Sequence, residues 1–286
     1  MNEKYSFETG NVISCKDYAQ KMKNEMKAFT DELNDKPVLV IIQVGDNPAS
    51  NSYIKGKVKD CEEVGIEHVH KHFPEDVAKE ELIGCIQAYN YSESVNGIIL
   101  QLPLPEHLNA DEITCYIDKE KDVDGFVVGS LFDPCTPKGI IDWLEYNNFT
   151  FTEPDAVVIG RSKIVGKPLV NMLIDKGATV TCCNSKTRTL PDYTRYADLI
   201  ISAIGKPKYF NEKDFNFAEV IVDVGINRDE NGKLCGDVDR ESIVNYMDTY
   251  VTPVPGGVGK LTVVTLLMNV IEAYKMQKGY NKIKLN

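Results

Sequence analysis

Ala156-Val-Val-Ile-Gly160-Arg-Ser-Lys-Ile-Val-Gly166-Lys-Pro168 is the stretch whose reading decides the fold. A short apolar run closes on glycine, a small loop follows, and a helix is expected to open at Lys167-Pro168. Proline suits the first helical turn, where its missing N–H costs nothing. A strand feeding a helix in this way begins a dinucleotide-binding βα unit, in which the helix N-terminus and the loop amides form an anion site for a pyrophosphate. Gly160 and Gly166 stand six apart, so the usual Gly-x-Gly-x-x-Gly is absent. Taken alone, the loop reads equally as an ordinary strand–turn–helix corner.

Its surroundings extend the pattern. A strand over Ala156–Ile159, a helix over Lys167–Lys176 and strands over Thr179–Cys183, Leu199–Ile204 and Glu219–Val224 form a βα series. The second strand of such a fold normally ends in an acid that binds the ribose of NAD. Here it runs into Asn184-Ser185-Lys186-Thr187, and Arg161 emerges from the neighbouring loop. A cation and hydroxyls in that place suit a 2′-phosphate, which favours NADP. Individually, Arg161 and Lys186 also read as solvated surface charges. Glycines close two further strands, at Gly205 and at Gly225-Ile226, where ligands of open α/β sheets bind. Thr252-Pro-Val-Pro-Gly-Gly-Val-Gly259 is a rigid turn before a last helix over Leu261–Lys278, and reads either as a ligand loop or as a hinge.

Toward the N-terminus the same alternation recurs. Helices are expected over Val12–Leu33, Ala49–Val64, Ala78–Asn90, Ala110–Ile117 and Lys138–Tyr146, and strands over Pro37–Val44, Glu67–Phe73 and Gly97–Leu102. The run Pro37–Val44 looks like a strand covered on both faces, as in a parallel sheet. A composition break at Phe149–Pro154 is the expected linker. The fold class is therefore α/β, with two domains: an N-terminal α/β catalytic domain over residues 1–148 and a Rossmann-type domain over 149–260. The helix of 261–286 packs back on the first domain.

Length and composition set the outer bounds. The 286 residues, 43% of them hydrophobic, suffice for one to two domains of about 150 residues. The net charge of −11 repels phosphate backbones, so no nucleic-acid partner is expected. No stretch approaches the roughly 18 apolar residues of a membrane span, and Met1–Tyr5 carries no apolar leader, so no membrane partner and a cytoplasmic location are expected. The eight cysteines include no Cys-x-x-Cys pair and read as reduced, mostly interior thiols, with Cys182-Cys183 as a minor redox candidate. His68, His70 and His72 alternate along one strand face; a solvated face explains them better than zinc, and no metal is expected.

Several side chains in the first half can carry chemistry. Ser50, Tyr53 and Lys57 share one helix face, so that an aromatic and an ammonium can meet a flat heterocycle. A surface Tyr–Lys pair would look identical. Gln101 ends a strand, on the side that opens to ligands. Lys121-Asp122-Val-Asp124-Gly125 sets two carboxylates in a turn; such aspartates usually cap amides, but one could bind an amino-bearing ligand.

Six motifs in order then resemble one family: Val44-Gly-Asp-Asn-Pro-Ala-Ser50-Asn-Ser-Tyr53-Ile-Lys-Gly-Lys57, Gln101-Leu-Pro-Leu104, Lys121–Gly125, Pro134-Cys-Thr-Pro-Lys-Gly139, Gly160–Pro168 and Thr252–Gly259. Together they resemble the bifunctional methylenetetrahydrofolate dehydrogenase/methenyltetrahydrofolate cyclohydrolase family over nearly the whole chain. The resemblance implies a homodimer of two-domain α/β chains, with tetrahydrofolate derivatives bound in an interdomain cleft. It implies hydride transfer from 5,10-methylenetetrahydrofolate to NADP, then hydrolysis of 5,10-methenyltetrahydrofolate to 10-formyltetrahydrofolate. Lys57 matches the proton-transfer lysine, Gln101 the glutamine that tunes it, Tyr53 the stacking tyrosine, and Asp124 the carboxylate on the pterin's amino edge. These four form the expected catalytic set, with Ser50, Pro255, Gly256 and Gly257 as further substrate contacts. The expected cofactor contacts are Gly160, Arg161, Ser162, Val165, Gly166, Ser185, Gly205, Gly225 and Ile226.

Two departures stand out. The segment Phe126–Asp133 is about ten residues shorter than the family pattern and lacks its Asn-x-Gly-x-Leu element. Lys260-Leu261-Thr262 stands where Pro-Met-Thr is usual. Two rival readings are an NADP-dependent dehydrogenase of another small substrate, such as a shikimate-type hydroxyl, and a non-enzymatic NADP-binding sensor. The set Tyr53–Lys57–Gln101–Asp124 argues against the first, and the shortened segment makes the second conceivable.

Overall fold

The structure, a computed structural model, describes residues 5–7, 11–215 and 218–280, the side chain of Tyr246 excepted. Residues 1–4, which carry most of the expectation of no leader, lie outside the described residues. Contacts divide the chain into two units: residues 21–135 with 263–286, and residues 1–20 with 136–262. The divisions fall inside α1 (Lys16–Asp31), α5 (Cys135–Tyr146) and α9 (Val258–Gln277), whereas composition placed boundaries at 148/149 and 260/261. A continuous helix keeps one amphipathic pattern across such a point and leaves no compositional mark there.

In the first unit, β1 (Val38–Val44) lies between β2 (Glu67–Phe73) and β3 (Gly97–Leu100), all parallel, with Val40 opposite both Val69 and Ile98. Burial of β1 from Leu39 to Val44 explains its apolar run, which only Gln43 interrupts. Helix α2 (Pro48–Val64) begins where the Asn47 side chain accepts from the amides of Ala49 and Ser50, and ends on Gly65 at φ 71°. Helices α3 (Lys79–Tyr91) and α4 (Ala110–Thr114) complete the layer, over a core that includes Val40, Ile42, Leu82, Ile86, Ile98 and Ile113. The last turns of α9 belong to this unit: Asn269 Nδ2 donates to Val123 O at 2.9 Å and Tyr274 Oη to Asp35 Oδ1 at 2.9 Å. The C-terminal helix thus returns to the first unit, as its position after the last strand implied.

The second unit holds a parallel sheet of order β10-β7-β6-β4-β5, from β4 (Asp155–Ile159), β5 (Thr179–Cys183), β6 (Leu199–Ser202), β7 (Val220–Asp223) and β10 (Tyr250–Val251). The order reverses between β4 and β6, which makes the carboxyl ends of those two strands the switch-point crevice. Helix α6 (Gly166–Asp175) follows β4. The hairpin β8 (Asn227–Arg228) with β9 (Leu234–Cys235), and helices α7 (Pro191–Thr194) and α8 (Arg240–Tyr246), carry too few residues to show a period and were not foreseen.

Four sequence expectations need correction. Helix α5 starts at Cys135, three residues before the expected Lys138, because Pro137 falls in the first turn, where no N–H is needed. Helix α9 starts at Val258 rather than Leu261, so the glycine turn runs into the helix itself. Helix α1 starts at Lys16, because Asn11–Ile13 pair with Val251 instead: Ile13 N donates to Val251 O at 2.9 Å and Val251 N to Asn11 O at 2.7 Å. Phe149–Pro154 is no solvated linker, since Phe149 and Phe151 are buried and Phe149 stacks on Tyr5 at 5.3 Å. No helix among the described residues is long and apolar enough to cross a membrane.

Candidate active site

The first unit brings three of the expected catalytic side chains into one constellation. The caps of α2 fix its helical phase, so Ser50, Tyr53 and Lys57 project from one face. Lys57 Nζ donates to Gln101 Oε1 at 3.1 Å. Gln101 is itself fixed, its backbone N–H donating to Ile42 O at 2.8 Å and its Nε2 to Leu102 O at 2.8 Å. Glutamine therefore presents its only side-chain oxygen to the ammonium. The Ser50 hydroxyl is buried and donates to Leu102 O at 3.4 Å, while Tyr53 is 46% exposed and available to stack on a ligand.

The turn Asp122–Gly125 resolves the question left by its two carboxylates. Asp122 is buried and works inward: Oδ2 accepts from the Val127 amide at 2.7 Å, and Oδ1 has no partner among the described residues. Burial raises its carboxyl above the usual range, against the pull of that amide. Asp124 is half-buried; burial raises its carboxyl, and the charge of Lys57 opposes the rise. The Lys57 ammonium thus acts on the Asp124 carboxyl through its charge. Gly125, at φ 73°, lies so close to Asp133 and Pro134 that a Cβ would collide with their backbone. The short Phe126–Asp133 segment forms a compact turn, with Ser130 N donating to Val127 O at 2.9 Å and Leu131 N to Lys119 O at 3.2 Å.

Cys135 and Asn269 belong to the same neighbourhood and escaped the sequence reading. The buried Cys135 thiol donates to Val123 O at 3.3 Å, and burial together with Asp124 holds it well above the ordinary thiol range. Asn269 Nδ2 reaches Val123 O and lies 3.6 Å from Cys135 Sγ, anchoring the turn that carries Asp124. A polar residue within an apolar helix was the available signal, and its partners are distant in sequence. An open groove lined by Gly45, Asp46, Glu75, Pro105 and His107 lies at the carboxyl ends of β1 and β3; the Lys57 set does not line it.

In the second unit, the Gly160 and Gly166 spacing has a steric cause. Gly160, at φ 127°, faces Ala203, and Gly166 faces Gly160 O; a Cβ on Gly166 would stand 2.7 Å from Gly160 C and 2.9 Å from Arg161 Cα. Strand end and helix start thus approach through bare backbone. Ser162 occupies the amides expected to bind an anion: its Oγ accepts from the Val165 and Gly166 amides at 3.2 Å each, and its carbonyl from Lys167 N at 3.0 Å. Arg161, Ser162 and Ser185 are exposed, whereas Val165 is half-buried. Gly205 sits at φ 67° on an exposed loop after β6, and Ile226 is 47% exposed beyond buried Gly225. In the other glycine turn Pro255 is exposed, Gly256 takes φ 104°, and a Cβ on Gly257 would overlap Pro253 O.

The histidines and cysteines fall where simple packing puts them. His70 Nε2 pairs with Gln43 Oε1 at 2.9 Å and His72 Nε2 with Gly45 O at 3.0 Å, and burial lowers the His70 pKa. All eight cysteines are thiols, with Cys182 exposed and Cys183 buried.

A doubly wound sheet with glycine loops at its switch point, in one chain with an α/β unit bearing a lysine–glutamine–aspartate set, defines a two-domain nucleotide-dependent enzyme fold. Profiles of the family identify both halves: "Tetrahydrofolate dehydrogenase/cyclohydrolase, catalytic domain" matches residues 13–124, and its "NAD(P)-binding domain" matches residues 134–278. The chain is 47% identical over 276 residues to the bifunctional protein FolD of Polynucleobacter asymbioticus, covering 92% of this chain and 95% of that one. The bifunctional FolD methylenetetrahydrofolate dehydrogenase/cyclohydrolase of Campylobacter jejuni superposes with a TM-score of 0.88 at 42% identity, over 92% of this chain and 98% of that one. The Trypanosoma brucei dehydrogenase-cyclohydrolase, solved with NADP and an inhibitor, has a TM-score of 0.86 at 29% identity, over 93% and 98% of the two chains. The protein belongs to the tetrahydrofolate dehydrogenase/cyclohydrolase family.

Proposed function

We propose that the chain carries both activities of its family: NADP-dependent oxidation of 5,10-methylenetetrahydrofolate, and hydrolysis of the resulting 5,10-methenyltetrahydrofolate to 10-formyltetrahydrofolate. The observation that carries this reading is the Lys57 ammonium held by Gln101 at 3.1 Å, on the helix face of Tyr53 and within the field of Asp124. Dehydrogenation needs little acid–base help, only orientation. Hydrolysis needs a group that takes a proton from the attacking water and returns it to the leaving nitrogen. Lys57 is the group with reach and orientation for that work, because Gln101 fixes where its protons point. Tyr53 stacks on the folate ring system, Asp124 accepts from the pterin's amino edge, and Ser50 adds a substrate contact on the same helix face as Tyr53.

NADP, when bound, supplies the hydride acceptor. The residues present fit it. Gly160 and Gly166 let the end of β4 and the start of α6 approach through bare backbone, which shapes the loop that meets the phosphates. Asn184 and Ser185, not a carboxylate, follow β5, and Arg161 is exposed on the neighbouring loop. Arg161 and Ser185 hold the 2′-phosphate. With the Val165, Gly166 and Lys167 amides capped by Ser162, the exposed loop 161–164 meets the remaining phosphates. Gly205, Gly225 and Ile226 border the nicotinamide half.

We read the chain as a cytoplasmic homodimer that acts on tetrahydrofolate derivatives, a location that suits its eight thiols. The test is purified protein given each folate separately. Methylenetetrahydrofolate must drive NADP reduction, and methenyltetrahydrofolate must lose its absorbance faster than in buffer. No turnover of either refutes the reading.

A further inference from the structure

Two aspartates outside the catalytic set lie buried together at the carboxyl end of the second sheet. Asp237, two residues beyond β9, is fully enclosed. Its Oδ2 accepts from Ser202 Oγ at 3.1 Å, Ile204 N at 2.7 Å and Gly205 N at 3.3 Å. Its Oδ1 accepts from Lys206 N at 2.9 Å and Asn227 Nδ2 at 2.9 Å. Asp223, the last residue of β7, accepts from Gly225 N, Asp237 N and Val238 N, each at 2.9 Å. A Cβ on Gly225 would overlap Asp237, and one on Gly236 would overlap Asp223.

Every group aimed at the Asp237 carboxylate is a donor, so only an acceptor with two oxygens satisfies the site. These donors come from the end of β6 and the loop after it, Ser202 and Ile204–Lys206, and from Asn227, which opens β8 directly after the Gly225–Ile226 loop. The first loop borders the switch-point crevice and the second follows the adjacent strand, β7. Both carboxylates spend their oxygens on this chain's own donors and leave none facing a cation.

We propose that Asp237 is a positioning residue for the dinucleotide: from behind the sheet end it holds the Gly205 and Gly225–Ile226 loops in the shape that receives the nicotinamide half. The proposal rests on the NADP reading above and deepens it. Asp223 sets the backbone of Asp237 through the Asp237 amide, so it acts one step further back.

The test is Asp237→Asn, which keeps the shape but turns one acceptor into a donor facing the loops. NADP affinity of the unaltered protein is first measured by calorimetry. In the variant KM for NADP rises about tenfold or more, and kcat falls by a smaller factor, because orphaned buried donors distort the loops. Adding Asn227→Asp restores a matched pair across the two loops and recovers at least about threefold of the loss. If Asp237→Asn does not fold, Ser202→Ala removes a single donor from Oδ2 and raises KM for NADP by about two- to fivefold with kcat unchanged. A folded Asp237→Asn with an unchanged KM, or in the fallback an unchanged Ser202→Ala, overturns the proposal. So does a double variant whose effects simply add. Unaltered protein that binds no NADP overturns the dinucleotide reading and this proposal with it; binding that survives Asp237→Asn intact overturns the proposal alone.

Discussion

Replacing Gly166 by alanine puts the fold-deciding loop under direct strain. The new Cβ would lie 2.7 Å from Gly160 C and 2.9 Å from Arg161 Cα, against an ordinary contact of at least 3.4 Å. The atoms it meets belong to the backbone, so no side chain can swing aside. The start of α6 must retreat from the end of β4 by about 0.7 Å or more, and overpacking of this kind costs about 1–3 kcal/mol. The same movement drags loop 161–164 and breaks the Ser162 cap on the Gly166 amide, which donates at 3.2 Å. Losing one phosphate hydrogen bond, at about 1.5–3 kcal/mol for a bond to a charged group, weakens NADP binding by roughly 10- to 150-fold. Circular dichroism melting measures the first effect and titration calorimetry with NADP the second. Gly84→Ala is the control: it lies in α3 with nothing within 4 Å of the new Cβ, so it leaves NADP binding unchanged and does not lower the melting temperature. A Gly166→Ala protein that binds NADP like the unaltered one refutes the reading of this loop as the cofactor cradle.

Other substitutions probe separate parts of the account. Lys57→Met keeps the apolar stem but removes the proton carrier; hydrolysis of methenyltetrahydrofolate falls by about 10²–10⁴-fold while folate-analogue binding weakens far less, and surviving hydrolysis overturns the role of Lys57. Arg161→Ala raises KM for NADP by at least about tenfold and leaves KM for NAD nearly unchanged, checked by steady-state kinetics with both nucleotides. Burial pushes the Asp223 carboxyl from 3.8 up to about 7, against three backbone amides and with Asp237 reinforcing the rise. Its folded value exceeds its unfolded one, so its contribution to stability declines between about pH 4 and 7 and is level above that. Melting curves taken across this window show a shallower decline in Asp223→Asn; an identical slope contradicts the assignment.

What the residues disclosed by themselves was local chemistry. Helix α2 was legible to within a residue because Asn47, Pro48 and Gly65 mark its ends with their own side chains and backbone freedom. Strand β1 was legible because burial on both faces demands an apolar run, and Val38–Ile42 supply one. Phe149–Pro154 misled, because its polar and proline content resembles a linker while the Phe149 and Phe151 rings pack inside. Lys57 and Tyr53 looked like a surface pair until the six motifs were read together, since the Gln101 partner is remote in sequence. Asp223 and Asp237 were invisible for the same reason: the β8–β9 hairpin must fold back before two residues fourteen positions apart come into contact. Cys135 and Asn269 meet the Asp124 turn only once α9 has docked on the first unit.

The central claim is that one chain performs hydride transfer and hydrolysis in succession. The most direct measurement gives the purified protein NADP and methylenetetrahydrofolate dideuterated at its one-carbon unit, and follows the label by mass spectrometry. The account predicts NADPH carrying one deuteron for every 10-formyltetrahydrofolate that retains the other, formed faster than methenyltetrahydrofolate hydrolyses unaided. Unlabelled nicotinamide, or labelled NADPH with formyl product appearing only at the uncatalysed rate, contradicts it.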